Sequence, residues 1–400
     1  MKIPELKTAF ETIFHKPAEI ACFSPAKVNM IGEHVDYNRE TIIPFVLKLG
    51  TYLLIAENNE SKIKLKSLNH PDKVFSLNLT QDIKVGHNSW INNPLSIISQ
   101  FSKQGLNLKK GYDFLFWENS PKDLGLSIST SIELVTTFAL TVILKNKFNK
   151  SSLVEISRLY EKEFTSVDRG MIDQFAYING IKNQILSLND ETSDYKLVSS
   201  CLEEVKIIIT DSTTSGKYNK STYNKRVSEC QLAIKQLRTV FPVSSLAKLS
   251  IDEFIGLEYA ITDSLALKRA RHVVSEEQRS KVTIQAIKRG DINLLGKLMN
   301  ASHLSLHDDF EIVGCELNSL VNETWKIQGV IGSRMIGDGQ RGCSISIVRC
   351  EYIEDFKITI GHIYKDLFGT SPNFYTAVLD DEVCRIFNYF DSSLITKLQL

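Results

Sequence analysis

The sequence predicts an α+β protein of two domains, and three observations carry that expectation. Its 400 residues can bury a large core and commonly divide into two folding units. The first half alternates short β-rich runs with turn-forming Asn, Asp and Gly. Near residue 200 the pattern changes to long helical periodicity and then to a final stretch of mixed character, so domains are expected over 1–200 and 201–400.

Taken in order, the elements read as follows. The opening MKIPELKTAFETIF is charged and helix-patterned. Thr41 to Val46, Thr51 to Ala56 and Lys62 to Leu65 read as strands of a mixed sheet. Ser127 to Leu144 reads as a helix, because Ile128, Ile132, Val135, Ala139 and Val142 recur at spacings of three and four. A second helix is expected over Ser152 to Phe164. Val205 to Thr210 is a buried strand by its β-branched content, and helical periodicity dominates from Lys225 to about Met299. Ser344 to Val348 and Phe374 to Leu379 close the pattern as strands, the last of which can pack back on the N-terminal domain. Repeats and long linkers are absent from the sequence, so the two domains are expected to pack together.

Lys plus Arg and Asp plus Glu both total 47, a balance that favours small-molecule chemistry over nucleic-acid or membrane partners. The seven cysteines are scattered and form no C-x-x-C pair, as expected of reduced thiols in a cytoplasmic protein. No apolar signal region follows Met1 and no eighteen apolar residues run together, so a soluble protein, acting as a monomer, is expected.

Four stretches carry chemistry. Ser24 to Asn38, SPAKVNMIGEHVDYN, crowds Lys27, Glu33, His34 and Asp36 around a glycine. D-Y-N alone would serve an ordinary turn, but carboxylates and an imidazole so close together can also hydrogen-bond the hydroxyls of a polyol. Pro121 to Glu133, PKDLGLSISTSIE, brings a glycine and hydroxyl residues into the start of the long helix. Unsatisfied N–H groups and the helix dipole make such a start a phosphate cradle, and Ser127, Ser129 or Thr130 can ligate magnesium; a plain N-cap is the ordinary alternative. Gly290 to Leu298, the nearest approach to a P-loop, has the wrong spacing and no Ser or Thr after Lys297. In Thr165 to Phe175, TSVDRGMIDQF, Asp173 lies between apolar neighbours and is either a partnered structural carboxylate or a proton acceptor. Arg334 to Val348, RMIGDGQRGCSISIV, sets three glycines ahead of a strand, which suits either a tight turn or close approach to a ligand.

Together and in this order, these stretches resemble the galactokinases, members of the GHMP superfamily of small-metabolite kinases that includes mevalonate and homoserine kinases. Val28 to Asn38 looks like the galactokinase signature, Gly125-Leu126-Ser127 with Ser129 like the phosphate loop, Gly170 with Asp173-Gln174-Phe175 like the catalytic segment, and Gly337, Gly339 and Gly342-Cys343 like the third motif. Arg269 to Val273 and Asn300 to Leu306 also look like galactokinase sequence. The resemblance implies an N-terminal α/β domain of the ribosomal-protein-S5 type, a ferredoxin-like C-terminal domain, and an active site between them. It implies ATP-dependent phosphorylation of the anomeric hydroxyl of galactose. Glu33, His34, Val35, Asp36, Gly170 and Tyr223 would hold the sugar. Ser67 and the run Asp123, Leu124, Gly125, Leu126, Ser127, Ile128 and Ser129 would hold ATP, with Mg²⁺ on Ser129 and Glu161. Asp173 would be the base, and Lys27 would stabilise the moving phosphoryl group.

The chain departs from the pattern within its own motifs. Lys27 stands for an arginine, Arg39 and Glu40 for two glycines, Asp123 for a glycine, Ile128 for a serine, and Asp338 and Gln340-Arg341 interrupt a glycine-rich run. These changes motivate two other readings: a galactokinase-like sugar sensor of weak activity, and a related kinase with shifted specificity.

Overall fold

The computed structural model describes residues 1–35, 41–70, 73–81, 90–120, 128–145, 150–160, 172–181, 184–189, 195–199, 202–212, 220–337, 339, 342–378 and 383–388. Its elements run α1 (Ile3–Phe14), β1 (Ile20–Asn29), β2 (Thr41–Ile42), β3 (Pro44–Asn58), β4 (Lys62–Ser67), β5 (Phe75–Asn78), α2 (Asn92–Lys103), β6 (Gly111–Glu118), α3 (Ile128–Leu144), α4 (Lys150–Tyr160), α5 (Ile172–Asn179), β7 (Gln184–Asn189) and β8 (Tyr195–Ser199). They continue with β9 (Val205–Asp211), α6 (Lys220–Leu237), α7 (Ile251–Leu257), α8 (Ser264–Arg289), α9 (Ile292–Asp308), α10 (Cys315–Thr324), β10 (Val330–Met335), β11 (Cys343–Arg349), α11 (Ile353–Phe368), β12 (Asn373–Ala377) and β13 (Cys384–Asn388). The two runs expected at Thr41 to Val46 and Thr51 to Ala56 are joined differently: β2 stops at Ile42, and a single long β3 takes in the rest.

Three sheets organise the described residues. The first has six strands in the order β13-β1-β3-β6-β4-β5, antiparallel except for the β4–β6 pair. Its core packs Leu53, Ile55, Phe114 and Phe116 against Val135, Phe138 and Ala139 of α3. The second has four antiparallel strands, β10-β11-β9-β12, and the order strand, helices, strand, strand, helix, strand is that of a ferredoxin-like unit. A third, small sheet pairs β2-β7-β8.

The side-chain alternation of β9 explains how the halves meet. Ile208 faces the helical core with Ala270, Val273 and Phe356, while Ile207 and Ile209 face the opposite way, onto Val28, Phe45 and Leu47 of β1 and β3. Ile345 and Ile347 of β11 join that second cluster. The four-stranded sheet is therefore covered on both faces, and apolar burial welds it to the first half of the chain. Long α8 begins with Asp263 accepting from the Ala266 N–H and ends at Gly290 in the left-handed conformation, after Lys288 and Arg289.

The strand expected near 374–379 touches the first half of the chain at its end, where the Val378 carbonyl accepts from the Lys48 N–H of β3 at 2.9 Å and Ala377 and Tyr375 join the cluster of Phe45 and Leu47. As β12 it pairs with β9, and Phe374 makes an edge contact with Phe356 of α11 at 5.9 Å between ring centroids, which anchors it in the C-terminal core. The next strand, β13, joins the first sheet, paired with β1 from Ile20↔Asn388 to Phe23↔Cys384.

Candidate active site

β1 is buried along its whole length and lies between β3 and β13, so its side chains are held in place from both sides. Ala26 and Val28 enter the core shared by the two halves. Lys27 and Asn29, two residues apart, share the other face of the strand. The Lys27 ammonium donates to Asn29 Oδ1 at 2.9 Å, and Asn29 Nδ2 donates to Glu33 Oε2 at 3.2 Å. After β1 the chain turns at Gly32, φ +100°, where an added Cβ would lie 3.1 Å from Ile42 Cα and 3.3 Å from the Thr41 carbonyl oxygen. Glycine alone suits that backbone and that gap. His34 then takes φ +60°, a left-handed conformation that carries strain for a residue with a side chain. Such strain persists where surrounding contacts enforce it, and functional loops are where it collects.

Those contacts come from the C-terminal half. Arg334, wholly buried in β10, donates to the carbonyl of Met30 at 2.8 Å, to the carbonyl of Asn29 at 2.6 Å and to Glu33 Oε1 at 3.2 Å. The Gly337 N–H approaches the same Glu33 oxygen at 3.4 Å. From α8, Glu276 accepts from the Gly32 N–H at 3.0 Å, and Glu277 from the Thr41 N–H at 2.7 Å. His272 Nε2 meets the Glu33 carbonyl at 3.2 Å, and because a carbonyl only accepts, that nitrogen carries the hydrogen. Burial pushes His272 down to about 4, partly opposed by the nearby Glu276, so the ring is neutral at pH 7. Burial works against ionisation of Glu276 as well, but Arg279, Arg334 and the Ser302 hydroxyl outweigh it and hold this carboxyl at about 2.

The His34 ring packs 5.2 Å from Phe310 and 6.4 Å from Tyr223 of α6, centroid to centroid. Phe310 is itself braced by the guanidinium groups of Arg226 and Arg269, 5.9 and 6.0 Å from its centroid, which share the Glu229 carboxylate. Lys27, Glu33, His34 and Tyr223 are thus brought to one region. Val35 is buried beside Ile42 and Ala176. This arrangement offers a carboxylate, an imidazole, a phenol and an ammonium to one ligand, a set suited to a polyhydroxylated molecule that carries or receives negative charge.

Of the other expected residues, some belong to the first sheet or to elements packed against it, and the rest lie outside the described residues. Asp173 is the second residue of α5, a helix packed against β1 and β3, and only its backbone is described. Ile128 is the first residue of α3 and Ser129 lies exposed in its first turn, while Ser131 pins the helix start by donating to the Ser24 carbonyl at 2.8 Å and accepting from the Thr51 N–H at 3.1 Å. Ser67 ends β4 with its hydroxyl buried and accepting from the Asn69 N–H at 3.1 Å. Asp36, Asp123, Leu124, Gly125, Leu126, Ser127, Glu161 and Gly170 lie outside the described residues. No cluster of His, Cys, Asp and Glu able to hold a metal occurs among the described residues. The exposed Ser129 hydroxyl is an oxygen donor of the kind that magnesium accepts together with substrate phosphates. None of the described helices is long and apolar enough to cross a membrane.

Sequence reasoning assigned no role to Asn29, His272, Glu276 or Arg334. The available signal was in α8, where Arg269, His272, Glu276 and Ser280 recur at spacings of three and four on a buried face. Charged and polar residues at core positions require partners: His272 and Glu276 find theirs in the loop that follows β1, and Arg269 finds its own in Glu229 and Glu311.

Comparison with known proteins agrees with this geometry. The chain matches the galactokinase galactose-binding signature over residues 8–57 and the GHMP kinases N terminal domain over residues 92–180. It is 35% identical to the galactokinase of Clostridium beijerinckii over 382 residues, covering 95% of this chain and 98% of that protein. Against the galactokinase of Lactiplantibacillus plantarum it is 36% identical over 385 residues, covering 95% and 99%. The crystal structure of Lactococcus lactis galactokinase complexed with galactose superposes with a TM-score of 0.90 at 32% identity, covering 95% of this chain and 99% of that one. Methanococcus jannaschii mevalonate kinase shares the fold at a TM-score of 0.66 and 18% identity, covering 91% and 99%. With relatives this similar over nearly its whole length, the chain belongs to the galactokinase family.

Proposed function

We propose that this chain transfers the γ-phosphoryl group of ATP to the anomeric hydroxyl of galactose. The observation that carries the reading is the loop Gly32 to Val35, whose Glu33 carboxylate is oriented by donors from both halves of the chain, Asn29 on one side and Arg334 with Gly337 on the other. A carboxylate held so firmly discriminates among sugar hydroxyls by direction, and an aldohexose with acceptors and donors around its ring matches it. Glu33, His34, Val35, Asp36, Gly170 and Tyr223 bind the sugar in this reading.

Phosphoryl transfer asks chiefly for alignment and for positive charge around the moving group. Lys27 supplies charge from the floor of β1. Asp173, entering α5 beside that strand, takes the proton from the anomeric oxygen as it attacks the γ-phosphorus. Asp123 to Ser129, at the start of α3, receives the phosphates, with Ser67 on the nucleotide side. Magnesium, held by Ser129 and Glu161, would neutralise charge on the ATP phosphates. We assign the protein to the cytoplasm, in keeping with its scattered cysteines.

Release of ADP measured with galactose, talose, galactosamine, glucose and mevalonate tests the reading. Turnover highest with galactose, and a phosphorus resonance from a phosphate on the anomeric oxygen, are expected. A product phosphorylated at the C6 oxygen would overturn the mechanism, and galactose binding without ADP release would favour a sensor.

A further inference from the structure

We propose that Asn29 is a positioning residue that sets the Lys27 ammonium and the Glu33 carboxylate relative to one another, so that the phosphoryl-side cation and the sugar-binding carboxylate act as one unit. The inference rests on the functional reading above, in which those two residues have those roles. Asn29 accepts from Lys27 Nζ at 2.9 Å through Oδ1 and donates to Glu33 Oε2 at 3.2 Å through Nδ2. An ammonium only donates and a carboxylate only accepts, so this orientation of the amide satisfies both neighbours and the reverse would repel both. The residue is 7% exposed, its main chain is held by pairing with Pro44 of β3, and its carbonyl accepts from Arg334 at 2.6 Å. A carboxamide so confined cannot swing to serve one partner at the other's expense. Moreover, the second Glu33 oxygen is engaged by Arg334 and Gly337, so the chain of contacts continues from Lys27 through Asn29 and Glu33 to the turn that follows β10.

A merely structural asparagine would affect folding alone, whereas a bridging one leaves a signature in coupling. The test is a double-mutant cycle of Asn29→Ala with Lys27→Met, with Asn29→Asp as a second, isosteric variant, read as kcat, galactose KM, calorimetric galactose affinity and melting temperature. Hydrogen bonds to charged groups are worth enough that Asn29→Ala is expected to lower kcat about tenfold and to weaken galactose about tenfold. In the Lys27→Met background the same change should alter kcat less than about twofold, because the group it positioned is gone. Asn29→Asp keeps an acceptor for Lys27 but sets a second carboxylate against Glu33, so galactose KM should rise about tenfold while kcat falls less than in Asn29→Ala. Additive effects on kcat, or an Asn29→Ala protein with wild-type kcat and KM, would overturn the proposal. If Asn29→Ala does not fold, an Asn29→Asp protein with unchanged KM overturns it equally. Wild-type turnover is measured first: a preference for another alcohol removes the galactose reading, and the cycle is then read with that alcohol. A wild type inactive on every alcohol removes both.

Discussion

Arg334 and Glu33 are 301 positions apart in sequence, yet Arg334 Nη2 stands 3.2 Å from Glu33 Oε1 with the arginine wholly buried. The same guanidinium group also donates to three main-chain carbonyls, those of Asn29, Met30 and Met335. One side chain of the C-terminal sheet therefore closes the end of β1 and aims the carboxylate assigned to the sugar.

Arg334→Met should be costly twice over. It leaves Glu33 without its cationic partner and strands buried carbonyls, a loss of about 3 to 5 kcal/mol for breaking a buried pair. Arg334→Lys should recover little, since one ammonium cannot reproduce a planar fork that serves several acceptors at once. Denaturant unfolding and galactose titration check both variants. Unchanged stability in Arg334→Met would show that the loop is held by other contacts.

Stability should fall as the solution is acidified from pH 6.5 towards 4. His272 titrates at about 4 in the folded protein against an ordinary 6.5, chiefly because it is buried, with Glu276 opposing and Arg279 and His34 assisting. His303 is lowered to about 4 by burial as well, its Nδ1 accepting from the Met335 N–H and its Nε2 facing Asn318 Oδ1. Between those values the unfolded chain binds more protons than the folded one, so the contribution of each ring is complete above about 6.5 and is lost as pH falls through the window. Urea midpoints measured across this range should decline on the acid side, and less steeply in His272→Asn. An equal slope for wild type and variant would mean that His272 takes up its proton without cost.

Lys27→Met should lower turnover strongly, by removing positive charge from the side of the transferring group. Lys27→Arg should be tolerated or should raise turnover, because a guanidinium keeps the charge and adds a second donor. Lys27 is 5% exposed within β1, so melting temperature must be recorded beside kcat to separate packing from chemistry. Equal turnover in wild type and Lys27→Met would deny Lys27 its role.

Asp173→Asn should reduce turnover by about 10² to 10⁴ with little change in melting temperature, since the amide keeps the shape of the carboxylate but accepts no proton. A structural aspartate makes the opposite forecast, a lower melting temperature with turnover intact. Both measurements on one preparation decide between them.

Local pattern was enough for much of this chain. The three- and four-residue recurrence from Ile128 to Val142 marks α3, and the β-branched run from Val205 marks β9, because helix and strand periodicity follow from backbone geometry alone. The crowding of Lys27, Glu33 and His34 in a few residues fits either a binding loop or an ordinary turn, and local pattern alone leaves both open. What sequence did not reveal depends on contacts between distant segments. That β13 pairs with β1 and β12 with β9 is a long-range choice with no local signature, since both segments are short strands. That Arg334, Glu276 and His272 hold the loop after β1 follows from the docking of the four-stranded sheet and α8 against β1. A charged residue in a periodic helix shows that it needs a partner, and only the tertiary structure, by bringing residues hundreds of positions apart within hydrogen-bond reach, decides which one.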